Sequence, residues 1–177
     1  MNKLLVILMD DFQDIELVTF IALVQKANIF QQIDYFNPES KNVFGQFGLA
    51  QIRTKNKINL QDYNSVFIPG GKGARRLRND AISLEIIKHF FEKAKNVFAI
   101  CDAPNALFEN NILKHAFSSY PIDDLPKTTL RNENTITISD YIITARNANS
   151  AAQLAYEVIK KLASKELADQ ILKHHSA

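Results

Sequence analysis

Short apolar segments that run straight into polar or glycine-rich turns are the feature that most restricts the fold of this chain. The segments are Leu4–Met9, Val66–Ile68 and Val97–Ile100, and no charged residue interrupts them. Such strands are typical of parallel sheets covered on both faces, because neither face of the strand meets water. We therefore predict a mainly parallel sheet, with the polar turns gathered at the carboxyl ends of its strands.

Helical patterns separate these strands, which favours an α/β fold with helices on both faces of the sheet. Helices are predicted at 14–28, 80–94, 103–110, 150–163 and 164–175, further strands at 30–36, 135–138 and 141–144, and a hairpin at 41–57. Asp14 is predicted to cap the first helix, whose apolar face would include Ile15 and Val18. A single domain is expected over residues 1–177.

Charge and cysteine content argue against several classes of protein. The net charge is only +2, and the densest basic run, Lys72–Arg78, is short, which is not the pattern of a nucleic-acid-binding domain. The single cysteine excludes an intramolecular disulfide and fits a reducing compartment. No segment has the length of a membrane helix or the pattern of a signal peptide. We expect a cytoplasmic protein without nucleic-acid or membrane partners.

Cys101 is the strongest candidate for chemistry. It stands between the strand Val97–Ile100 and a helix that starts near Ala103, a sharp turn similar to the nucleophile elbow of hydrolases. The amino end of that helix would favour the thiolate and lower the pKa of the thiol. The alternative is a buried, inert cysteine that only fills the core.

Two other strand ends supply partners for the thiol. Glu16 lies just inside the first helix, where it could exchange a proton with the sulfur or simply complement the helix dipole. Gly70 and Gly71 follow Val66–Ile68, and the amide of Gly71 is predicted to form a small oxyanion pocket with that of Asp102. The alternative for the glycines is a turn with positive φ.

The histidines are weaker candidates. His89, His174 and His175 lie on predicted helices, and only His115 follows the elbow helix closely enough to be considered an accessory residue. No His-x-x-x-His or Glu-x-x-His pattern occurs, so no metal and no cofactor are predicted.

Taken together, these motifs resemble the DJ-one/ThiJ/PfpI superfamily, closest to the branch of the parkinsonism-associated protein and bacterial ThiJ-like proteins. The resemblance covers nearly the whole chain. It rests on Asp14–Glu16, Ile68–Gly71, Ala99–Pro104 and Ile142–Arg146, the last followed by a helix from about Ser150. It implies a flavodoxin-like three-layer sandwich of the class I glutamine amidotransferase type, and usually a homodimer.

The resemblance also implies roles for individual residues. Cys101 would be the nucleophilic or redox-sensing thiol, and Glu16 a protonated partner hydrogen-bonded to its sulfur. The backbone amides of Gly71 and Asp102 would line the pocket, beside Gly70.

Two positions depart from the pattern of the superfamily. Many relatives carry a histidine shortly after the elbow helix, where this chain has Tyr120, and a tyrosine is a poor base near neutral pH. Relatives of this branch usually carry a small residue where this chain has Asp102. Its carboxylate would raise the pKa of the thiol if it faced the sulfur, and would otherwise shuttle protons or cap the helix.

The resemblance implies three alternative functions through Cys101. The first is a cofactor-independent cysteine hydrolase or lyase that acts on small reactive carbonyls, in the manner of a glyoxalase or deglycase, with Glu16 moving the proton. The second is a non-catalytic stress sensor whose thiol is oxidised to a sulfinate. The third is an isonitrile hydratase-like lyase. An alternative of a different class is an interaction module in which the thiol is incidental. Peptidase activity is not expected, because no histidine is clearly placed near the thiol.

Overall fold

The computed structural model describes residues 2–39, 41–123 and 125–176, so the predicted domain limits at 1 and 177 lie outside the described residues. The strands are β1 (Lys3–Ile7), β2 (Gln32–Phe36), β3 (Asn42–Phe44), β4 (Gln51–Arg53), β5 (Ser65–Ile68), β6 (Asn96–Ile100), β7 (Phe117–Ser118), β8 (Arg131–Asn132), β9 (Ile136–Ser139) and β10 (Ile142–Ala145). The helices are α1 (Asp14–Lys26), α2 (Gly73–Leu77), α3 (Ala81–Glu92), α4 (Ala103–Glu109), α5 (Ala151–Leu162) and α6 (Lys165–Ser176).

Six strands form the central sheet in the order β2-β1-β5-β6-β10-β9. All neighbours are parallel except β9, which pairs antiparallel with β10 through a turn at Asp140. The predicted mainly parallel α/β sheet is therefore confirmed. Because β1, β5 and β6 are adjacent, the turns that follow these three strands meet at one edge.

Helices cover both faces of this sheet. On one face, α1 and α5 pack against side chains from β1, β5 and β6, and Phe20 stacks on Phe67 with ring centroids 4.0 Å apart. On the other face, α3 and α4 bury Phe90 and Leu107 against the opposite side of the same strands. Both faces of each central strand are thus in the core, which is why polar and apolar residues do not alternate along these segments.

The predicted hairpin is present as β3 and β4, outside the main sheet, and it is attached to α1 by Asp14. The Asp14 carboxylate accepts hydrogen bonds from the backbone amides of Phe47, Leu49 and Ala50 at 2.9–3.0 Å. The prediction that Asp14 caps α1 is wrong, since the side chain of Gln13 accepts from the amide of Ile15 instead.

The apolar face predicted for α1 is also only partly right. Ile15 and Val18 are 53% and 52% exposed, whereas Leu17, Phe20 and Val24 are buried against the sheet. Sequence patterns did not indicate the short helix α2 or the two-residue strands β7 and β8. No helix in the described ranges is long and apolar enough to span a membrane.

Candidate active site

Three turns at the carboxyl edge of the sheet converge on the side chain of Cys101. The backbone amide of Gln13, after β1, donates to the carbonyl oxygen of Gly70, after β5, at 3.1 Å. A Cβ atom placed on Gly70 would lie 2.7 Å from the Cβ of Cys101, which follows β6. Only glycine allows this close approach of the two turns.

Cys101 has the geometry predicted for a nucleophile elbow. Its φ is +63°, a left-handed conformation that costs a non-glycine residue about 1–2 kcal/mol. The backbone holds it from both sides, because its amide donates to the carbonyl of Ala145 at 2.9 Å and its carbonyl accepts from the amide of Tyr120 at 2.8 Å. The turn keeps the side chain above the sheet edge, partly exposed to a pocket.

The backbone amides of Gly71 and Asp102 hydrogen-bond to the Cys101 side chain, and both interactions favour the thiolate. Gly71 has φ +82°, a region that glycine enters without strain. The amide pair expected from the sequence therefore lies beside the sulfur, where it could also stabilise an oxyanion formed on a bound carbonyl.

Glu16 lies under this thiol, fully buried in the first turn of α1. Its Oε2 accepts a hydrogen bond from the amide of Gly70 at 2.8 Å, while its Oε1 is buried without a conventional hydrogen-bond partner among the described residues. Burial raises the pKa of the Glu16 carboxyl to about 7, and the interactions with Gly70 and Cys101 only partly oppose this effect. Near neutral pH the carboxyl group can therefore both hold and release a proton.

Burial also raises the pKa of the Cys101 thiol, and the neighbouring charge of Glu16 raises it further. The lowered pKa expected from the helix position alone is wrong, because the two amides are outweighed by desolvation. The two side chains titrate as a coupled pair, so protonation of Glu16 removes the charge that opposes the thiolate.

Asp102 does not face the sulfur. Its carboxylate accepts two hydrogen bonds of 2.8 Å from the guanidinium of Arg78 and one of 3.1 Å from Asn105, and it forms no capping bond with α4. Arg78 also pairs with Glu109. The expectation that this carboxylate caps the helix is wrong, and its charge is neutralised by a bidentate ion pair.

A pocket of about 330 Å³ opens above the thiol. Its lining residues are Gln13, Gln46, Gly71, Lys72, Arg75, Cys101, Asp102, Tyr120 and Ile122. The Tyr120 side chain is 48% exposed at the rim. The pocket has room for a substrate of a few heavy atoms.

His115 lies elsewhere in the molecule. Its ring packs against Tyr141, at the opposite end of the strands from Cys101, with the ring centroids 6.1 Å apart. It is therefore not among the residues around the thiol, and Tyr120 is the accessory candidate that remains there. The described residues contain no group of three or more side chains that could bind a metal ion.

Reasoning from sequence missed Arg78 and Asn105, which hold Asp102 in place. Arg78 belongs to the basic run Lys72–Arg78. This run was the one signal in the sequence that Asp102, the acidic residue at the elbow, could have a basic partner.

Comparison with known proteins agrees with this geometry. The sequence profile of the DJ-1/PfpI family matches residues 2–161. The chain belongs to the DJ-1/PfpI family. The flavodoxin-like fold expected from the resemblance is thereby confirmed.

Individual relatives and solved structures show how far the similarity extends. An uncharacterized protein of Mycoplasma genitalium is 31% identical over 163 residues, which cover 90% of this chain and 87% of that protein. A deglycase of Pyrococcus horikoshii is 25% identical over 122 residues, or 67% of this chain and 72% of that enzyme. The structure of oxidized DJ-1 from Toxoplasma gondii superimposes with a TM-score of 0.85 and 26% identity, covering 98% of this chain and 97% of that one.

Proposed function

We propose that this protein is a cofactor-independent cysteine enzyme that acts on small reactive carbonyl compounds such as methylglyoxal. The observation that carries the proposal is the pairing of the Cys101 thiol with a buried carboxyl group, Glu16, whose pKa is about 7. Such a group can act as acid in one step and base in the next at the same pH. The named deglycase among the relatives supports the same class of chemistry.

The first step would form a hemithioacetal. The S–H proton of Cys101 passes to the carboxylate of Glu16, the sulfur attacks the aldehyde carbon, a C–S bond forms, and the π electrons of the C=O bond move to oxygen. The amides of Gly71 and Asp102 stabilise the negative charge on that oxygen until it takes the proton from Glu16, which returns Glu16 to its carboxylate form.

Glu16 would then move protons. In its carboxylate form it removes the hydrogen from the former aldehyde carbon, and in its acid form it returns a proton to the neighbouring carbon. The resulting thioester is hydrolysed by water, which releases a 2-hydroxy acid and restores the thiol. The overall reaction adds one water and needs no external oxidant or reductant.

The proposal is tested by lactate formation from methylglyoxal. Cys101→Ala should lower the turnover by at least about 100-fold, because the nucleophile is lost. Ser119→Ala is the matched control, since Ser119 is a buried residue of similar size that directly precedes Tyr120, whose amide binds the Cys101 carbonyl, and it has no assigned part in the chemistry. Equal turnover by Cys101→Ala and the wild type would overturn the proposal.

A second candidate is a redox sensor, favoured by the position of the Glu16 carboxyl group next to the thiol, where its Oε1 has no conventional hydrogen-bond partner among the described residues. A protonated Glu16 could donate a hydrogen bond to a sulfinate on Cys101, and the two amides could bind its second oxygen. Mass spectrometry after mild peroxide treatment tests this candidate. A stable gain of two oxygens on Cys101 without any methylglyoxal turnover would favour it over the enzyme.

We also propose that the protein works as a homodimer in the cytoplasm. Ile15 and Val18 on α1 are exposed, as are Phe44, Phe47 and Leu49 of the hairpin that Asp14 attaches to α1, and a second copy could cover these apolar side chains. A single free thiol suits a reducing compartment. Sedimentation velocity tests the dimer, and a monomer at micromolar concentration would contradict it.

A further inference from the structure

We propose that Lys72 and Arg75 form an anion-binding subsite above Cys101, so that the pocket selects small electrophiles carrying a negative charge. This extension rests on the proposed function. For that enzyme, the subsite would favour carbonyl compounds that carry a carboxylate next to the reactive carbon.

The basic side chains of the pocket are left without acidic partners. Lys72 and Arg75 both line it, and neither takes part in an ion pair within the described ranges. Their neighbours on the same segment behave differently, because Arg76 pairs with Asp11 and Arg78 pairs with Asp102. Two cations thus face the pocket while the nearby ones are neutralised.

The acids near the thiol do not offset this charge. The carboxylate of Asp102 is bound by both guanidinium nitrogens of Arg78, and Glu16 lies below the sulfur with a pKa of about 7. Asp123 follows the lining residue Ile122 but does not itself line the pocket. A bound anion would therefore meet a net positive field.

The positions of the two cations are fixed by the backbone. Lys72 follows Gly71 directly, and its amide donates to Oε1 of Gln46 at 3.1 Å, which joins the start of α2 to the hairpin. Arg75 lies three residues later and so on the same side of the helix. The side chains of Gln13 and Gln46 add uncharged hydrogen-bonding groups to the wall.

Two small reagents that differ in charge test the subsite without any assumption about turnover. Iodoacetate and iodoacetamide alkylate the same sulfur, but only iodoacetate carries a carboxylate. The readout is the ratio of their second-order rate constants with Cys101, measured at fixed pH and low ionic strength. The neutral reagent acts as the internal reference for changes in the thiol itself.

In the double variant Lys72→Gln/Arg75→Gln, this ratio should fall by about tenfold, since each exposed cation contributes a factor of about two to five. Added salt should lower the ratio of the wild type in the same direction. The double variant Lys57→Gln/Lys93→Gln removes two exposed lysines that do not line the pocket and makes the same change in net charge. Its ratio should stay within about twofold of the wild type.

An equal ratio in the wild type and Lys72→Gln/Arg75→Gln would overturn the subsite, and so would an equal fall in the control pair. The same proteins are then given glyoxylate and the neutral glyoxal as competitors of alkylation by iodoacetamide. Stronger protection by glyoxylate in the wild type than in Lys72→Gln/Arg75→Gln is expected. A charge-dependent ratio without any carbonyl turnover would retain the subsite and reject the proposed enzyme.

Discussion

Two buried carboxyl groups in the first turn of α1 have opposite surroundings. Asp14 is 2% exposed and binds three backbone amides of the hairpin, whereas Glu16 is fully buried and binds one amide, that of Gly70. Only one residue separates them in the sequence, yet Asp14 joins two parts of the fold and Glu16 faces the thiol.

The difference lies in how many donors each carboxylate receives. Three amides replace the water lost by Asp14 on burial, so its charge has partners inside the protein. Glu16 receives too few donors to replace its water, and burial therefore raises its pKa to about 7. A poorly solvated carboxyl group destabilises the fold when it is charged, but it is also the one that can transfer protons.

The largest effect is expected from removing the well-partnered carboxylate. Asp14→Ala leaves the amides of Phe47, Leu49 and Ala50 without their acceptor, and should lower the free energy of unfolding by about 4 kcal/mol. Urea unfolding measures this change, and hydrogen exchange should show faster exchange of the three amides. Glu92→Gln, at an exposed position, is the control, and a loss equal to that control would contradict the comparison.

The next effect is a dependence of stability on pH caused by Glu16. The carboxyl group has a pKa of about 7 when folded and 4.5 as its reference value, so the folded state binds the proton more tightly. Its contribution is fully present below pH 4.5 and is lost as the pH rises through about 7, a decrease of about 3 kcal/mol.

Urea unfolding of Glu16→Gln at pH 5 and pH 8 isolates this contribution. The variant cannot ionise at this position, so its stability should decrease less between the two pH values than that of the wild type. Parallel pH curves for the two proteins would show that Glu16 is not the proton-binding group. Alkylation of Cys101 over the same pH range should lose its component near pH 7 in the variant.

The smallest effect is expected at the rim of the pocket. The side chain of Tyr120 is half exposed and its hydroxyl has no hydrogen-bond partner among the described residues, so Tyr120→Phe should change the alkylation rate of Cys101 by less than about twofold. A larger change would show that a second proton-transfer group acts beside Glu16, and would weaken the distinction between the two carboxyl groups.

Local sequence patterns were enough to predict the strands of the central sheet and the elbow, whereas the pairing of Cys101 with Glu16 was implied by the family resemblance. The central strands can be recognised as continuous apolar segments because both of their faces are buried. The elbow follows from the direct succession of β6 and α4. The fold of this family and its reactive edge could therefore be assigned without coordinates.

Long-range contacts were not predictable in the same way. The amides bound by Asp14 are 33–36 residues away in sequence, and Arg78 meets Asp102 across 24 residues. The raised pKa of the Cys101 thiol depends on burial, which no local motif specifies. His115 follows the elbow helix in sequence, yet the chain turns back and places it beside Tyr141.

The left-handed backbone conformation of Cys101 lowers the stability of the fold, while the same residue supplies the thiol of the candidate site. Glycine at this position would relieve about 1–2 kcal/mol of strain, so mutation of the thiol is one of the easier routes to a more stable chain. In a library selected for folding alone, cysteine should be replaced here early. Under the proposed function, it should be retained in a library selected for growth under carbonyl or oxidant stress. The frequency of cysteine at position 101 after each selection would therefore measure how strongly the cell depends on this one sulfur atom.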